Sequence, residues 1–403
     1  MDIIDSIGIA FNLLIIYWWV YIPIILFLVC INLWADYTRA KYLRKLEWIL
    51  LELKFPQEVT TSFKAAEQVF AGLHGIFIKP VTWDEEFFGG KLPDWFSLEI
   101  VGSGGETHFY IRTLKAYRNL VESNIYAQYP EAEISQVEDY IDVLPKHVPN
   151  DQYDLWGMEL ELSKDNFYPI RTYPYFEEVG QFGKEKKIID PLSSLSEILG
   201  TLKLNEHLWI QLLIRPTGDG WIEASKAEVD KILGREKKED GSPAERLNLS
   251  PGEKVLAESI AAKTSKFGFE STLRFIYVAP KDIFSIAYGA GVSGVYKQFG
   301  TQDRNGFKAN RATIPIASWA PKFMGNWPFK LIPYPGKKVK ELERKRKLYE
   351  WYRDRAFTEK GKPFILNTEE LATLYHIPSL EVKAPLLNRL EAKKGTPPAG
   401  LPQ

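Results

Sequence analysis

Phe96-Ser97-Leu98-Glu99-Ile100-Val101, the turn Gly102-Ser103-Gly104-Gly105 and the run Thr107-His108-Phe109-Tyr110-Ile111-Arg112-Thr113-Leu114 decide the fold class of this 403-residue chain. Apolar side chains recur at every second position on both sides of a glycine-rich turn, the pattern of two antiparallel strands with one face in a core. Lys115 to Tyr129 then shows helical spacing up to Pro130, and Ala132 to Tyr140 returns to strand character. The local order is strand, turn, strand, helix, strand.

A similar order recurs downstream. Leu155 to Leu162 and Tyr168 to Tyr173 flank the turn Lys164-Asp165-Asn166, Pro191 to Leu202 reads as a helix, and Leu208 to Ile214 as a strand. Two ββαβ copies resemble halves of a ferredoxin-like sandwich, in which helices cover one face of an antiparallel sheet. The expected class is α+β, with the ferredoxin-like sheet units in residues 57–220 and a second α+β region in 221–335.

Towards the N-terminus, the thirty residues from Ser6 to Ala35 contain no Asp, Glu, Lys, Arg or His. At about 1.5 Å per residue this run exceeds the roughly 20 residues that cross a bilayer core, so a transmembrane helix is expected near residues 9–34. Pro23 is tolerated there, and Tyr17, Trp18, Trp19, Tyr21 and Trp34 suit its interfaces. A secretory signal would need a basic start and a small-residue cleavage site, which this stretch lacks. Asp2 and Asp5 precede the span, whereas Arg39, Lys41, Arg44 and Lys45 follow it, placing the C-terminal side in the cytoplasm of a single-pass protein of the cell membrane. Asp36 to Leu53 has helical spacing and is expected to continue out of the membrane to Phe55–Pro56, completing an N-terminal region of residues 1–56. A second amphipathic helix is expected from Thr61 to Leu73, ended by His74-Gly75.

Beyond the sheet units, Trp221 to Leu233 reads as a helix, residues 234–254 as a polar flexible loop, Pro251 to Thr264 as a helix and Ser271 to Val278 as a strand. Aromatic and proline residues crowd 315–335, including Trp319, Phe323, Trp327 and Phe329. A basic helix occupies 336–363, and a proline-rich tail closes the chain in 364–403.

The chemistry legible in the sequence is sparse. Gly289-Ala290-Gly291-Val292-Ser293-Gly294 matches a dinucleotide-binding string, but the preceding strand ends at Val278-Ala279-Pro280 and no acid follows at ribose distance. The expectation is close helix packing at small residues. There is no phosphate-binding G-x-x-x-x-G-K-[ST] string, the five histidines are dispersed, and Cys30 is the single cysteine. Neither a metal nor another cofactor is expected, and no catalytic residue is assigned. Asp84-Glu85-Glu86 and Glu369-Glu370 are expected to be solvated acidic faces. The net charge of −1 gives no global attraction to nucleic acid.

One local asymmetry stands out. Lys337 to Arg355 carries nine basic residues against four acids. Lys337, Lys338, Lys340, Arg344, Lys345, Arg346 and Lys347 form its basic surface, suited to phosphates, headgroups or an acidic partner, while Val339, Leu342, Tyr349, Tyr352 and Ala356 give it a packing face.

Phe364-Ile365-Leu366-Asn367-Thr368-Glu369-Glu370-Leu371-Ala372-Thr373-Leu374-Tyr375-His376-Ile377-Pro378, followed by Val382-Lys383-Ala384-Pro385 and Pro397-Pro398, resembles the segment before the motor domain in conjugative-transfer, type IV coupling-protein-like DNA-translocating ATPases. The resemblance implies a membrane-anchored α/β region leading into a P-loop ATPase, with the motor here expected on a separate polypeptide or else lost in a truncated copy. Leu366, Leu371, Leu374 and Ile377 form an apolar strip on a short helix opened by an Asn367–Glu370 capping box, and are expected to dock that ATPase. The function this implies is a non-catalytic accessory or scaffold subunit of a type IV secretion-like or DNA-translocation machine. A membrane-tethered nucleic-acid-binding module is the alternative, through the sheet aromatics Phe109 or Tyr110 or through the basic helix. Membrane lipid and the ATPase are the expected partners, and DNA or a second copy of the chain remain open.

Overall fold

A computed structural model of the chain describes residues 16–56, 62–77, 79–179, 186–188, 190–235, 249–315, 337–357 and 363–377. These fall into two units, one within Met1–Glu47 and Lys79–Asp94, the other comprising the remainder.

The first unit is built on α1 (Trp18–Leu43), which keeps its helical course through Pro23. Its apolar side chains, from Trp18 to Trp34, lie exposed along almost the whole length. The helix is long and apolar enough to cross a membrane. It ends at Arg44, whose N–H bonds to Ala40 O at 3.2 Å, and the following Lys45 N–H bonds to Tyr42 O at 3.0 Å. The expected helical continuation to Phe55 is therefore wrong. Trp48–Lys54 is β1, a strand buried on both faces, and a continuous apolar run such as Ile49-Leu50-Leu51 fits either period.

In the second unit, β1 is followed by α2 (Phe63–Leu73), which ends at His74 as its sequence suggests. An excursion that belongs to the first unit then contains α3 (Trp83–Phe87). Next come β2 (Phe96–Ser103), β3 (Glu106–Leu114), α4 (Arg118–Gln128) and β4 (Glu133–Val137). The β2–β3 turn places Gly104 and Gly105 at φ +57° and +90°, where only glycine is unstrained. With antiparallel order β4-β1-β3-β2, these elements form a complete βαββαβ unit.

A second unit of the same plan follows. It consists of β5 (Tyr153–Leu162), α5 (Ser193–Gly200), β8 (His207–Pro216), β9 (Gly268–Pro280), α8 (Ala287–Lys297) and β10 (Phe307–Ala309), in the antiparallel order β8-β9-β5-β10. A small hairpin of β6 (Glu177–Val179) and β7 (Lys186–Ile188) lies between β5 and α5. The hairpin connection between β8 and β9 carries α6 (Gly220–Ile232) and α7 (Pro251–Thr264). The expected strand Tyr168–Tyr173 is absent from the sheet. Pro169 and Pro174 remove backbone donors there, and Ile170 N–H goes instead to the Glu370 side chain. The repeat is real, but its second copy begins at β5 rather than at a hairpin.

The two βαββαβ copies join edge to edge through β2 and β8, paired from Phe96↔Ile214 to Ser103↔His207. With β11 (Phe364–Asn367) pairing with the start of β9, a single nine-stranded antiparallel sheet results. The expected boundary between residues 57–220 and 221–335 therefore runs through one sheet. One face is covered by α2, α4, α5 and α8, whose Val69, Phe70, Val121, Ile125, Leu195, Leu199, Val292 and Tyr296 share a core with Leu98, Ile100, Leu212, Leu273 and Phe275. The opposite face is covered by α9 (Lys337–Arg353) through Leu348, Tyr349 and Tyr352, together with Ile141, Leu144 and Val148. The chain then runs from β11 directly into α10 (Thr368–Leu374). Parts of the expected loop (236–248), of the aromatic segment (316–335) and of the tail (378–403) lie outside the described residues.

Candidate functional site

The face under α9 is not the mirror of the apolar one. Glu159, Arg274, Gln211, Glu99, Tyr110 and Glu52 are successive cross-strand partners on β5, β9, β8, β2, β3 and β1. Directly opposed residues in antiparallel strands point to the same side, so these six form a polar row across the sheet. Glu99, Gln211 and Arg274 are wholly buried, and Glu159 is nearly so. Buried ionised groups persist only when paired and hydrogen-bonded, and the row meets that demand with the end of α9.

The α9 terminus closes with two reversed bonds, Ala356 N–H to Trp351 O and Arg355 N–H to Tyr352 O, each 3.2 Å long. That pattern requires the residue after the cap to adopt the left-handed region, and Arg355 does so at φ +47°. Glycine is the usual occupant, and another residue costs about 1–2 kcal/mol. Arg355 is held there by its side chain. Its guanidinium donates to both Glu99 oxygens, at 2.9 and 3.1 Å, and to both oxygens of Asp139. Glu99 also accepts from Ser97 Oγ at 2.5 Å, Tyr140 Oη at 2.7 Å and Gln211 Nε2 at 3.2 Å. Tyr140 and Tyr352 share a hydroxyl bond of 2.8 Å. Arg274 pairs with Glu159 at 3.1 Å and donates to the carbonyls of Trp351 and Ala356, while Gln211 Nε2 donates to Tyr352 O. Two guanidinium groups thus meet the negative end of the α9 dipole and its orphan carbonyls.

Burial alone would push the Glu99 carboxyl up, but the Arg355 guanidinium more than reverses it and holds the group below its ordinary range. Asp139 behaves alike, with burial opposed by the Arg355 hydrogen bonds. Burial holds the Tyr140 and Tyr352 hydroxyls well above their ordinary value. The cluster is therefore a fixed set of charges that ties a helix end to the sheet, with its carboxylates stabilised in their ionised form.

The residues singled out in the sequence fall into two groups. Among the basic ones, Lys340, Arg346 and Lys347 are exposed, whereas Arg344 donates to Ile314 O at 3.0 Å and Lys345 pairs with Asp154 at 2.6 Å. Lys337 and Lys338 open the helix, and their side chains lie outside the described residues. The basic surface is thus narrower than expected, because Arg344 and Lys345 are engaged by Ile314 O and Asp154.

The apolar strip is corrected outright. Leu366, Leu371 and Leu374 lie in the main core and Ile377 packs against it, so they are internal side chains rather than a free docking face. The capping box forms as expected, with Glu370 N–H to Asn367 Oδ1 at 2.8 Å and Asn367 N–H to Glu370 Oε2 at 2.9 Å. Glu370 is nevertheless fully buried, paired with the equally buried Lys263 at 3.1 Å, and Glu369 bonds Thr172 and Lys266. Glu369-Glu370 is no solvated acidic face. His376 fixes the end of this segment, with Nε2 3.0 Å from Asp190 Oδ1 and Nδ1 2.9 Å from Ala372 O. Beside it lies an apolar cavity of about 40 Å³, lined by Leu53, Phe70, Phe109, Tyr129, His376 and Ile377 among others. That volume is far below the several hundred Å³ of a small-molecule site.

The glycine string sits on α8, where a Cβ at Gly289 would meet the Trp156 ring at 2.0 Å, which bears out close packing at that position. Phe109 and Tyr110 are both buried, Phe109 in the main core and Tyr110 stacked on Tyr140 with centroids 5.2 Å apart. The polar row itself went unread in the sequence. Its signal is an ionisable or amide residue in the middle of several apolar strands, such as Glu99 in Ser97-Leu98-Glu99-Ile100 and Arg274 in Leu273-Arg274-Phe275.

Fold and site together define an α+β body of two fused ferredoxin-like units, with a charge-clamped helix covering one sheet face, preceded in the sequence by an apolar helix. The chain belongs to the family defined by the domain of unknown function DUF8128, whose profile matches residues 56–388. No curated protein matches the sequence.

Proposed function

We propose that the protein is a membrane-anchored, non-catalytic scaffold subunit of a type IV secretion-like or DNA-translocation machine, recruiting a separate cytoplasmic P-loop ATPase. The observation that carries the anchor is α1, most of whose large apolar side chains from Trp18 to Trp34 are left exposed by the described residues. A bilayer is the solvent such a surface requires. Basic residues after the apolar run support a cytoplasmic body under the positive-inside rule.

The partner surface moves from the buried C-terminal strip to the outer side of α9. Its inner side is clamped through Leu348, Tyr352 and Arg355, so Lys340, Arg346 and Lys347 are presented on a fixed element. Rigid presentation lowers the ordering cost of docking. Full-length protein purified from native membranes is expected to bring down a nucleotide-binding ATPase, and Lys340→Glu, Arg346→Glu and Lys347→Glu combined are expected to release it without loss of membrane attachment. Retention of the partner by the triple variant would remove α9 from the account.

The nucleic-acid alternative loses its stacking platform, because Phe109 and Tyr110 are enclosed, and rests on the same three cations. Binding whose affinity falls steeply with salt, by about 0.9 log units per log unit of salt for each duplex phosphate contacted, would favour it.

A further inference from the structure

The first unit holds a feature that the anchor alone does not explain. Residues Lys79–Asp94 return to α1 where its apolar run gives way to charge. The backbone of Gly90, at φ +66°, approaches so closely that a Cβ there would lie 2.2 Å from the Thr38 carbonyl carbon. Trp34 Nε1 donates to Phe87 O at 3.2 Å, and Arg39 pairs with Glu86 at 2.9 Å. A capping box between Thr82 and Glu85 opens α3, and Lys79 and Lys91 both pair with Glu85. These contacts fix α3 at one level of α1, between Trp34 and Arg39, a stretch of about 7 Å at helical rise.

An aromatic cluster projects from this pinned helix. Trp83 and Phe87 stack at 5.1 Å, and Phe88 meets both rings edge-on at 5.9 and 5.1 Å. Trp83 is 69% exposed and Phe88 63%. Phe87 is half-buried between them, and two large adjoining rings left open to water form a costly surface. Its level is that of Trp34, the last aromatic residue of the apolar run, and aromatic side chains concentrate at this boundary of a bilayer.

We propose that Trp83, Phe87 and Phe88 are a second membrane attachment, an aromatic wedge seated at the headgroup–acyl boundary of the leaflet through which α1 leaves. The occupant of the cluster is phospholipid, and the surface is continuous with the transmembrane helix itself. The wedge rests on the membrane-spanning reading of α1. It adds that the excursion holds α1 at a set depth and rotation.

The test uses full-length protein in phosphatidylcholine–phosphatidylglycerol nanodiscs, in a Cys30→Ala background with one fluorescent probe at a time. Trp83→Cys and Phe88→Cys carry the test probes. Ile25→Cys marks the span and Val143→Cys the exposed body. The expected result is a blue-shifted emission at positions 83 and 88, quenched by a lipid nitroxide placed near the headgroup and shielded from aqueous iodide. Iodide quenching at 83 and 88 equal to that at 143, with position 25 still shielded, overturns the wedge and leaves the span intact. Protection at 83 and 88 from both quenchers also overturns it, in favour of a protein partner or a second copy. Iodide access at position 25 refutes the spanning reading itself and the wedge with it.

Discussion

Arg355 and Glu99 are 256 residues apart in sequence, yet the guanidinium of one chelates the carboxylate of the other beneath α9. The contact explains why an arginine occupies a left-handed position that glycine would fill without strain. It also makes the helix end part of the sheet's own charge balance.

The first prediction separates these two roles. Arg355→Gly relieves the backbone but leaves Glu99 buried without its cation, so it is expected to destabilise the protein by about 3–5 kcal/mol, less the roughly 1–2 kcal/mol of strain removed. Chemical denaturation in detergent would measure it. A neutral or stabilising outcome would mean that the clamp contributes nothing.

Acid sensitivity follows from the same pair. Glu99 and Asp139 are held below their ordinary values in the folded state. A carboxylate with a depressed folded value contributes stability above its unfolded value, and that contribution is lost as pH falls through the ordinary range to the folded one. Stability should therefore drop on acidification from the ordinary Glu and Asp range, around pH 4, downwards. In Glu99→Gln the drop should be shallower.

The C-terminal segment gives a third test. Leu371 is fully buried in α10, so Leu371→Ala should cost about 2–5 kcal/mol, and ending the chain before Phe364 should unfold the body. Thermal melting that is unchanged by the truncation would restore the free docking strip.

Two glycines of α8 should respond in opposite directions. Gly289→Ala drives a Cβ into Trp156 and should destabilise by about 1–3 kcal/mol despite the better helix propensity. Gly294 has open space around its Cβ position, so Gly294→Ala should stabilise by up to about 1 kcal/mol.

How much of this was legible in the sequence varied with the physics of each element. The β2–β3 hairpin was, because Gly104 and Gly105 demand their backbone and the flanking strands alternate. The helix from Pro251 to Thr264 was, because Ser250 and Glu253 spell a capping box that forms. β1 was not, since a strand buried on both faces has no alternation to show. Missing it hid the first strand of the βαββαβ unit and misphased the repeat. The strip at Leu366–Ile377 was correctly seen as apolar, but an apolar face does not say whether it meets its own core or a partner. Arg355 gave no local sign at all, because its partners lie on β2 and next to β4.

The central claim is that a membrane-held body presents α9 to a translocation ATPase. The most direct measurement is site-specific photo-crosslinking from position 346 on the exposed side of α9, in native membranes, with mass spectrometry of the adduct. The account predicts a P-loop ATPase crosslinked from position 346 and lost when Lys340 and Lys347 are reversed to Glu. Crosslinks to nucleic acid or lipid alone, from protein that is still membrane-inserted, would contradict it.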